Sequence, residues 1–310
     1  MGKIKIAIIR GGQQIDSRRN RSITAGANIL LTGINNQDVI LSDIHIDEKG
    51  KWLHDGKVKS SLESLPFHDY YLDTTGIGDR IKGLHHELFR TPFRSKSDIN
   101  RVLAMRDVPI PRYIVLRYDV NNNIIANESH YTKIMYNLWR IMHIPIVISS
   151  DNKNYTSILT SNYKDALEHI MYLFSRQSDV IISEYKEGDT YTLTTMPDYR
   201  GEKFYVPIVH KVLKKKYNLS SPTLARHDLD KENLDILIKS VSKAHSELNI
   251  DHPIQWDVVI QNKNKFESHI VKINIVPDFH PESKFIKSIN STGVSIIDML
   301  KVYADKMSHI

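Results

Sequence analysis

The sequence predicts an α+β protein on three observations. The N-terminus reads as a strand over Ile4–Ile9, a turn at Gly11-Gly12 and a helix over Ser22–Leu31, which is the usual opening of an α/β domain. Amphipathic helices with apolar residues three and four apart follow, as in Tyr163–Phe174. Near the C-terminus, Ile254–Ser283 contains two β-rich runs around a polar turn, which predicts a hairpin.

The elements between these landmarks are predicted from the same patterns. The Gly11-Gly12 turn lacks a full G-x-G-x-x-G pattern, so a dinucleotide-binding fold is poorly supported. Pro109 ends the helix that Ser95 begins. In chain order the other elements are strands at Val39–Ile46 and Asp69–Leu72, a helix from Ser95, a strand from Tyr113, a helix at Thr132–Met142, a strand at Pro145–Ile148, two strands joined through Glu187-Gly188, a strand at Phe204–His210, a helix at Leu234–Leu248 and a closing helix from Gly293.

Composition limits the classes of protein to which the chain can belong. With 310 residues, 41% of them hydrophobic, the chain can bury a sizeable core and form two or three subdomains. The lack of Cys excludes disulfides, thiolate metal sites and a Cys nucleophile. No apolar run approaches the ~20 residues of a transmembrane helix, and no signal peptide is visible. We therefore expect a cytoplasmic protein that does not bind a membrane.

The charge is moderately basic. Lys and Arg number 42 against 36 acidic residues, a formal charge of +6, and part of it lies in local runs such as Arg18 to Arg21 and Lys214 to Lys216. A solvated surface and an anionic ligand both explain such runs. Aromatic residues do not accompany them as a nucleic-acid platform would require, so no nucleic-acid partner is predicted.

The predicted hairpin brings three polar residues to one face. Asp257 lies in its first strand, and Lys272 and Asn274 lie two residues apart in its second. Because side chains alternate along a strand, Lys272 and Asn274 share one face of the sheet. That face is expected to be either a binding site or a solvated surface.

This hairpin resembles the metal-binding corner of ATP-grasp enzymes, and in detail that of the D-alanine-D-alanine ligases. The family's strand pair ends in Asp and in Glu-x-Asn-x-x-Pro-Gly; here Asp257 and Asn274 match, Lys272 stands in place of the Glu and Asp278 in place of the Gly. Weaker matches continue in order over nearly the whole chain. The resemblance implies an ATP-grasp fold of three α/β subdomains: a Rossmann-like N-terminal one on the substrate side (1–94), a central one (95–185) and a C-terminal one (186–310).

The resemblance also implies nucleotide-binding positions. Lys96 matches the first nucleotide-contacting lysine, and Glu184 matches the acid whose neighbouring backbone holds the adenine edge. The ribose-binding Glu falls at Thr190, with Asp189 beside it as a substitute. Ser149 replaces the family's phosphate-binding lysine, and Lys153 lies in a loop that has none of the family's glycines. We therefore expect ATP to bind weakly, if it binds.

Catalytic positions are implied in the same way. Asp16 lies where the family has an acid that positions substrate, Lys216 and Tyr217 match a pair that closes over the phosphates, and Ser283 matches the serine that holds the second amino acid's carboxylate. Gln255 replaces the arginine that polarises the acyl intermediate.

The resemblance leaves two functions open. The first is a non-catalytic or diverged ligase-like protein in which Lys272 pairs with Asp257, so that magnesium binding is doubtful. The alternative is an active ligase that joins D-amino acids through an acyl phosphate made from ATP, with a nucleotide and a small amino acid as partners. A homodimer is expected from the resemblance alone.

Overall fold

Three β-sheets and seven helices make up the part of the chain that a computed structural model describes, which is residues 3–13, 16–64, 67–75, 86–118, 136–137, 139–151, 155–213, 223–261 and 266–308. The predicted α+β class is confirmed. Of the predicted Thr132–Met142 helix, residues 132–135 and 138 lie outside these ranges, and residues 136, 137 and 139–141 are helical. No helix within them is long and apolar enough to cross a membrane.

The first sheet is formed by the N-terminal part of the chain, and its strands have the order β4-β3-β2-β1-β5. Strand β1 pairs in parallel with β2 and with β5, whereas β3 and β4 extend the sheet as an antiparallel hairpin. The predicted Val39–Ile46 strand is confirmed to the residue. The elements are β1 (Ile4–Gly11), α1 (Asp16–Gly33), β2 (Val39–Ile46), β3 (Trp52–His54), β4 (Lys57–Lys59), α2 (Ser61–Ser64) and β5 (Tyr70–Asp73).

The Gly11-Gly12 turn at the end of β1 requires glycine. Gly11 has φ of 88° and Gly12 has φ of 104°, a region that side chains with a Cβ rarely adopt. A Cβ on Gly11 would also lie 2.2 Å from the carbonyl oxygen of Ile46. Ser22 Oγ accepts a hydrogen bond from Gly11 N at 3.0 Å, which fixes the turn against α1.

The second sheet is antiparallel and small, with the order β6-β9-β7-β8. Helix α4 covers one face, because its apolar stripe of Ala166, Ile170, Leu173 and Phe174 packs on β7 and β9. The elements are α3 (Lys96–Met105), β6 (Tyr113–Leu116), β7 (Ile146–Ser150), β8 (Ile158–Thr160), α4 (Tyr163–Ser175) and β9 (Val180–Glu184).

The third sheet has six strands in the order β13-β12-β10-β14-β15, with β11 paired to β10. The predicted hairpin is β14 and β15. The single strand predicted over Phe204–His210 is wrong: Pro207, which has no N–H for a strand ladder, lies between two separate strands. The elements are β10 (Asp189–Tyr199), β11 (Glu202–Tyr205), β12 (Val209–Leu213), β13 (Thr223–Arg226), α5 (Lys231–Leu248), β14 (Ile254–Gln261) and β15 (Glu267–Asn274).

The hydrophobic cores do not follow the order of the chain. The last two helices, α6 (Lys284–Asn290) and α7 (Ile296–Met307), share a core with the first sheet. Helix α3 contributes Ile99 and Leu103 to the core of the third sheet and α5. The predicted boundaries at 94 and 185 remain a prediction, and the packing ties the three regions together across them.

Candidate functional site

The third sheet has one apolar face and one polar face. Tyr191, Leu193, Trp256 and Val258 alternate onto the face that packs against α5. The intervening residues point to the other face, which we call the cleft face: Thr190, Thr192 and Thr194 on β10, Gln255 and Asp257 on β14, Lys272 and Asn274 on β15, and His210 on β12. Several of these polar side chains are buried, so the cleft face is not an ordinary solvated surface.

The predicted alignment of Asp257, Lys272 and Asn274 on one face is confirmed. In the register of β14 and β15, Asp257 lies opposite Lys272, and Gln255 lies opposite Asn274. The register shifts next to Asp257, because Val258 pairs with Ile270 and leaves Val271 as an extra residue. This bulge keeps the apolar residues of β15 on the α5 side while its polar end faces the cleft.

The cation that holds Asp257 is Lys284. Lys284 Nζ lies 2.7 Å from Asp257 Oδ2, and both side chains are largely buried. The expectation that Lys272 would form this pair is therefore wrong. Lys272 is cross-strand to Asp257 but exposed, whereas Lys284 is the first residue of α6 and reaches the carboxylate from above the sheet. The other oxygen, Asp257 Oδ1, is buried and accepts no hydrogen bond from a described residue.

Lys96 approaches the same region from the central sheet. The N-terminus of α3 is fixed to the end of β7, because Asp151 accepts hydrogen bonds from Ser97 N at 2.7 Å and Ser97 Oγ at 2.5 Å. Lys96 Nζ then donates to the carbonyl oxygen of Ser150 at 2.9 Å. Burial lowers the pKa of Lys96, and the charge of Lys272 lowers it further, while Asp151 opposes both. Lys96 and Lys272 are therefore close enough to repel each other.

Neutral side chains stand where the resemblance places cations. Ser149 lies opposite Ile181 on the face of the central sheet that α4 does not cover. Gln255 is buried, donates to Thr192 Oγ1 at 3.4 Å and accepts from Asn274 Nδ2 at 3.4 Å. The amide of Asn274 is therefore directed at Gln255.

Glu184 turns its carboxylate away from the cleft. It shares a face of β9 with Val180 and Ile182, which belong to the core under α4. Arg112 Nη2 lies 2.5 Å from Oε1, and Lys186 Nζ lies 3.3 Å from Oε2. Burial alone would raise the pKa of Glu184, but the contacts to Arg112 and Lys186 lower it below its usual value. Its predicted role through the neighbouring backbone does not require the carboxylate.

Asp189 faces the α5 side of the third sheet, because it is cross-strand to Ile260 and shares the face of Tyr191. It is ion-paired to Lys211 at 2.8 Å, and the same ammonium contacts Asp228 at 2.7 Å. Lys211 and Tyr191 hold the pKa of Asp228 at about 2. Thr190, not Asp189, faces the cleft, so this placement does not favour Asp189 as a ribose ligand.

Ser283 caps helix α6. Its Oγ donates to the carbonyl oxygen of Asp278 at 2.5 Å and accepts from Ile286 N at 3.1 Å. Arg21 of α1 is ion-paired to Asp278, and Asn28 donates to the carbonyl oxygen of Phe279 at 3.2 Å. These contacts position Lys284, the residue after the cap. The predicted role of Ser283 in substrate binding stays a prediction.

Three predicted residues lie outside what the structure describes, and of a fourth only the backbone is described. Asp16 is the first residue of α1, but its side chain is not described, and Lys153, Lys216 and Tyr217 lie outside the described ranges.

The described residues do not fit a magnesium site. Of the three described residues matched to the family's metal ligands, positions 257, 272 and 274, Asp257 is the only carboxylate; Lys284 neutralises it and Lys272 lies across the strand. A dication ~4 Å from one ammonium meets a repulsion of roughly 8 kcal/mol at an effective dielectric constant near 20. No cluster of three or more acidic or histidine residues able to hold a metal occurs among the described residues.

Sequence reasoning missed two contributors to this corner. Lys284 carries no motif, because it is one of several lysines beside apolar residues. The alternation of Thr190, Thr192 and Thr194 with apolar neighbours was the available signal for a buried polar face.

Comparison with known proteins gives a likeness of structure but not of sequence. No family model matches the chain, and no curated protein matches it by sequence. D-alanyl-alanine synthetase A from Vibrio cholerae superposes with a TM-score of 0.79 at 13% identity, over 99% of this chain and 98% of that one. A D-alanine-D-alanine ligase from Bacillus anthracis complexed with ATP gives 0.72 at 15% identity, over 98% of each chain. VanG D-Ala:D-Ser ligase from Enterococcus faecalis gives 0.67 at 14% identity, over 97% of this chain and 99% of that one.

The chain therefore has the ATP-grasp fold of the D-alanine-D-alanine ligases from end to end. The predicted fold is confirmed. Identities of 13% to 15% establish the fold alone, so the chemistry has to be argued from the site.

Proposed function

We propose that this chain is a non-catalytic protein with a D-alanine-D-alanine ligase-like fold. The observation that carries the proposal is the buried ion pair between Lys284 and Asp257, 2.7 Å long, in the corner where the fold's resemblance implies magnesium. An ammonium in that position supplies one fixed charge and has no open coordination site. It therefore stabilises the fold without being able to bridge phosphate oxygens as a metal does.

Two further replacements support the absence of ligation. Formation and attack of an acyl phosphate place negative charge on oxygens that a ligase must stabilise. Gln255 presents a neutral amide at the position of the implied arginine, and Ser149 a neutral hydroxyl at that of the implied lysine. Each replacement removes a full charge from the places where the reaction develops one.

Nucleotide binding is proposed to persist in a weak, magnesium-independent form. Lys96 and Lys272 face the cleft from two sides, and their mutual repulsion favours an anion between them. Phosphates of ATP would meet these two ammonium groups without a bridging metal.

The second candidate is the active ligase, and one observation favours it. Asp257 Oδ1 is buried and accepts no hydrogen bond from the described residues, which is the state of a carboxylate oxygen that awaits a donor or a cation. An active enzyme would have to displace Lys284 from Asp257 to use this oxygen for magnesium.

Calorimetry with ATP, with and without magnesium, separates the two functions. The proposal expects weak binding of equal strength in magnesium and in EDTA, and no phosphate release when D-alanine is added. Tight binding that requires magnesium, or phosphate release that depends on D-alanine, would establish the active ligase instead.

The double variant Lys272→Glu with Lys284→Leu sharpens this test. Removing both ammonium groups and adding a carboxylate should create manganese or magnesium binding that the unmodified protein lacks, still without ligation. The matched control adds Lys287→Leu in place of Lys284→Leu, because Lys287 lies on the same helix but pairs with Glu282 at the surface. Equal metal binding by the two double variants would show that Lys284 does not block the corner.

A small amino acid as a second ligand, a homodimer and a cytoplasmic location are proposed from the ligase-like fold alone. Sedimentation of the purified protein tests the dimer.

A further inference from the structure

A cavity of about 630 Å³ lies at the seam between the central sheet and the third sheet. Its lining is largely apolar, with Val108 and Ile110 from the linker after α3, Ile114 from β6, and Ile141 and Met142 from the segment before β7. Val108 belongs to the core of the third sheet, whereas Met142 belongs to that of the central sheet and Ile114 packs against it. The volume is that of a small-molecule site.

The linker wall of this cavity offers few hydrogen-bonding groups. Pro109 and Pro111 line it and have no backbone N–H. The carbonyl oxygens of Pro109 and Arg112 already accept from Ile270 N at 2.9 Å and from Glu184 N at 3.0 Å. These bonds also anchor the wall to both sheets, so a ligand would not have to order it on binding. A ligand rich in polar groups would lose its hydration against this wall with little to replace it.

The charged groups beside the cavity are paired with one another. The Glu184 side chain is buried, and both of its oxygens are occupied, because Arg112 Nη2 lies 2.5 Å from Oε1 and Lys186 Nζ lies 3.3 Å from Oε2. Asp107 is the other acid of the lining, so two negative and two positive charges balance among these four side chains. The cavity therefore has no net charge that would attract an ion of either sign. An ion that entered it would be dehydrated without a counter-charge.

Part of the apolar lining lies in contact with water. The side chain of Ile141 is 65% exposed, although the next residue, Met142, is buried in the core of the central sheet. A molecule that filled the cavity would cover Ile141, and the free energy gained grows with the apolar area removed from water.

From this arrangement we propose that the cavity is a binding site for a compact, uncharged molecule that is mostly hydrocarbon and contains one or two rings. The rings would fill the space between Val108 and Met142 and cover Ile141. Selection would come from dehydration: a charged molecule of the same shape loses its water and finds no free partner, whereas an apolar one has no such cost.

The site is separate from the nucleotide cleft. The Glu184 carboxylate lies on the α4 side of β9, whereas Ser149 and Ile181 lie on the opposite side of the same sheet. The proposal thus does not depend on whether the chain is an active ligase.

Three probes of the same planar shape test the selection: α-methylstyrene is uncharged, benzamidine is a cation and benzoate is an anion at pH 7. Ligand-observed NMR titration of the full chain should give α-methylstyrene binding at least roughly tenfold tighter than the binding of either ion. Saturating adenosine should leave the affinity for α-methylstyrene unchanged. A smaller preference over either ion, no binding of α-methylstyrene, or its displacement by adenosine would each overturn the proposal.

Two pairs of variants locate the probe. Ala104→Trp should abolish binding by filling the cavity, since Ala104 is exposed at its rim and tolerates a large side chain. Met105→Trp, one residue on and outside the lining, is its control. Ile141→Ser should weaken α-methylstyrene severalfold, whereas Ile144→Ser, at an exposed isoleucine outside the lining, should not. Full binding by Ala104→Trp, or equal losses within either pair, would place the probe elsewhere and overturn the proposal.

Discussion

The two faces of the third sheet bury polar groups in opposite ways. On the α5 side, Trp256 Nε1 donates to Thr195 Oγ1 at 2.7 Å, Thr195 contacts His245 Nδ1 at 2.6 Å, and His245 Nε2 contacts the carbonyl oxygen of Ile250 at 2.9 Å. On the cleft face, Asp257 Oδ1, Thr194 Oγ1 and His210 Nδ1 are buried without a hydrogen-bond partner among the described residues.

This difference suggests that the α5 side of the sheet serves stability, whereas the cleft face serves ligand binding. A closed chain of donors and acceptors stabilises the fold and leaves nothing for a ligand to satisfy. Open acceptors and unbalanced lysines cost stability, and a folded protein retains them where a ligand completes them. The cleft face therefore remains the candidate site even though Lys284 neutralises Asp257 there.

The largest expected effect comes from breaking the buried ion pair on the cleft face. Lys284→Met should cost roughly 3–5 kcal/mol, because it leaves Asp257 as a buried and uncompensated charge. Lys287→Met, on the same helix, should cost less than about 1 kcal/mol because its partner Glu282 is 58% exposed. Urea denaturation at pH 7 measures both. Equal losses would mean that the Asp257 pair is not effectively buried.

The second-largest effect is expected from acid, which should lower the stability that the hydrogen-bonded α5 side of the sheet contributes. Burial lowers the pKa of His245 to about 4, below the ordinary value of 6.5, so the unfolded chain takes up a proton before the folded one does. Its contribution is complete above pH 6.5 and is lost as the pH falls to about 4, a change of about 3 kcal/mol. Urea denaturation of the protein and of His245→Gln between pH 7.5 and 4 tests this. Parallel pH profiles would contradict it.

Adjacent threonines give the most direct comparison of the two faces. Thr195→Val should cost about 2 kcal/mol, because it leaves the indole N–H of Trp256 and a nitrogen of His245 without partners. Thr194→Val, equally buried but on the cleft face, removes a hydroxyl that has no partner among the described residues and should be neutral or slightly stabilising. Thermal denaturation of the two variants measures the difference. The reverse order would mean that the cleft face is the closed one.

The smallest effect concerns the excess charge of the cleft face. Lys272→Ala removes a charge that repels Lys96, so it should raise stability by less than about 1 kcal/mol at low salt and have no effect at high salt. Denaturation at both salt concentrations is the measurement. A loss of stability at low salt would show that Lys272 has a partner that outweighs Lys96.

Much of the fold could be predicted because its elements are encoded locally. The spans Val39–Ile46 and Tyr163–Phe174 and the hairpin around Asp257 follow from side-chain alternation and helical periodicity. Pro207 was visible in the sequence, and its effect on the strand ladder was the missed local rule. The order of motifs was enough to predict the ATP-grasp fold, since many weak matches in sequence order support one another.

The site was predicted only in part. Alternation along β15 was enough to place Lys272 and Asn274 on one face, but a period of two does not say which cation reaches a carboxylate. Lys284 is 27 residues from Asp257 and belongs to a helix whose position depends on the Ser283 cap and on α1.

What the sequence determined by itself is the class of fold and most of its elements. That positions 149, 255 and 272 lack the charges that ligation requires is implied by the resemblance and stays a proposal. Tertiary structure alone decided that Lys284 neutralises Asp257, that Asp189 faces away from the cleft, and that Glu184 lines a separate cavity. The physical reason is range: hydrogen bonds within a strand or helix join near neighbours in the chain, whereas ion pairs and cavities join side chains that only packing brings together.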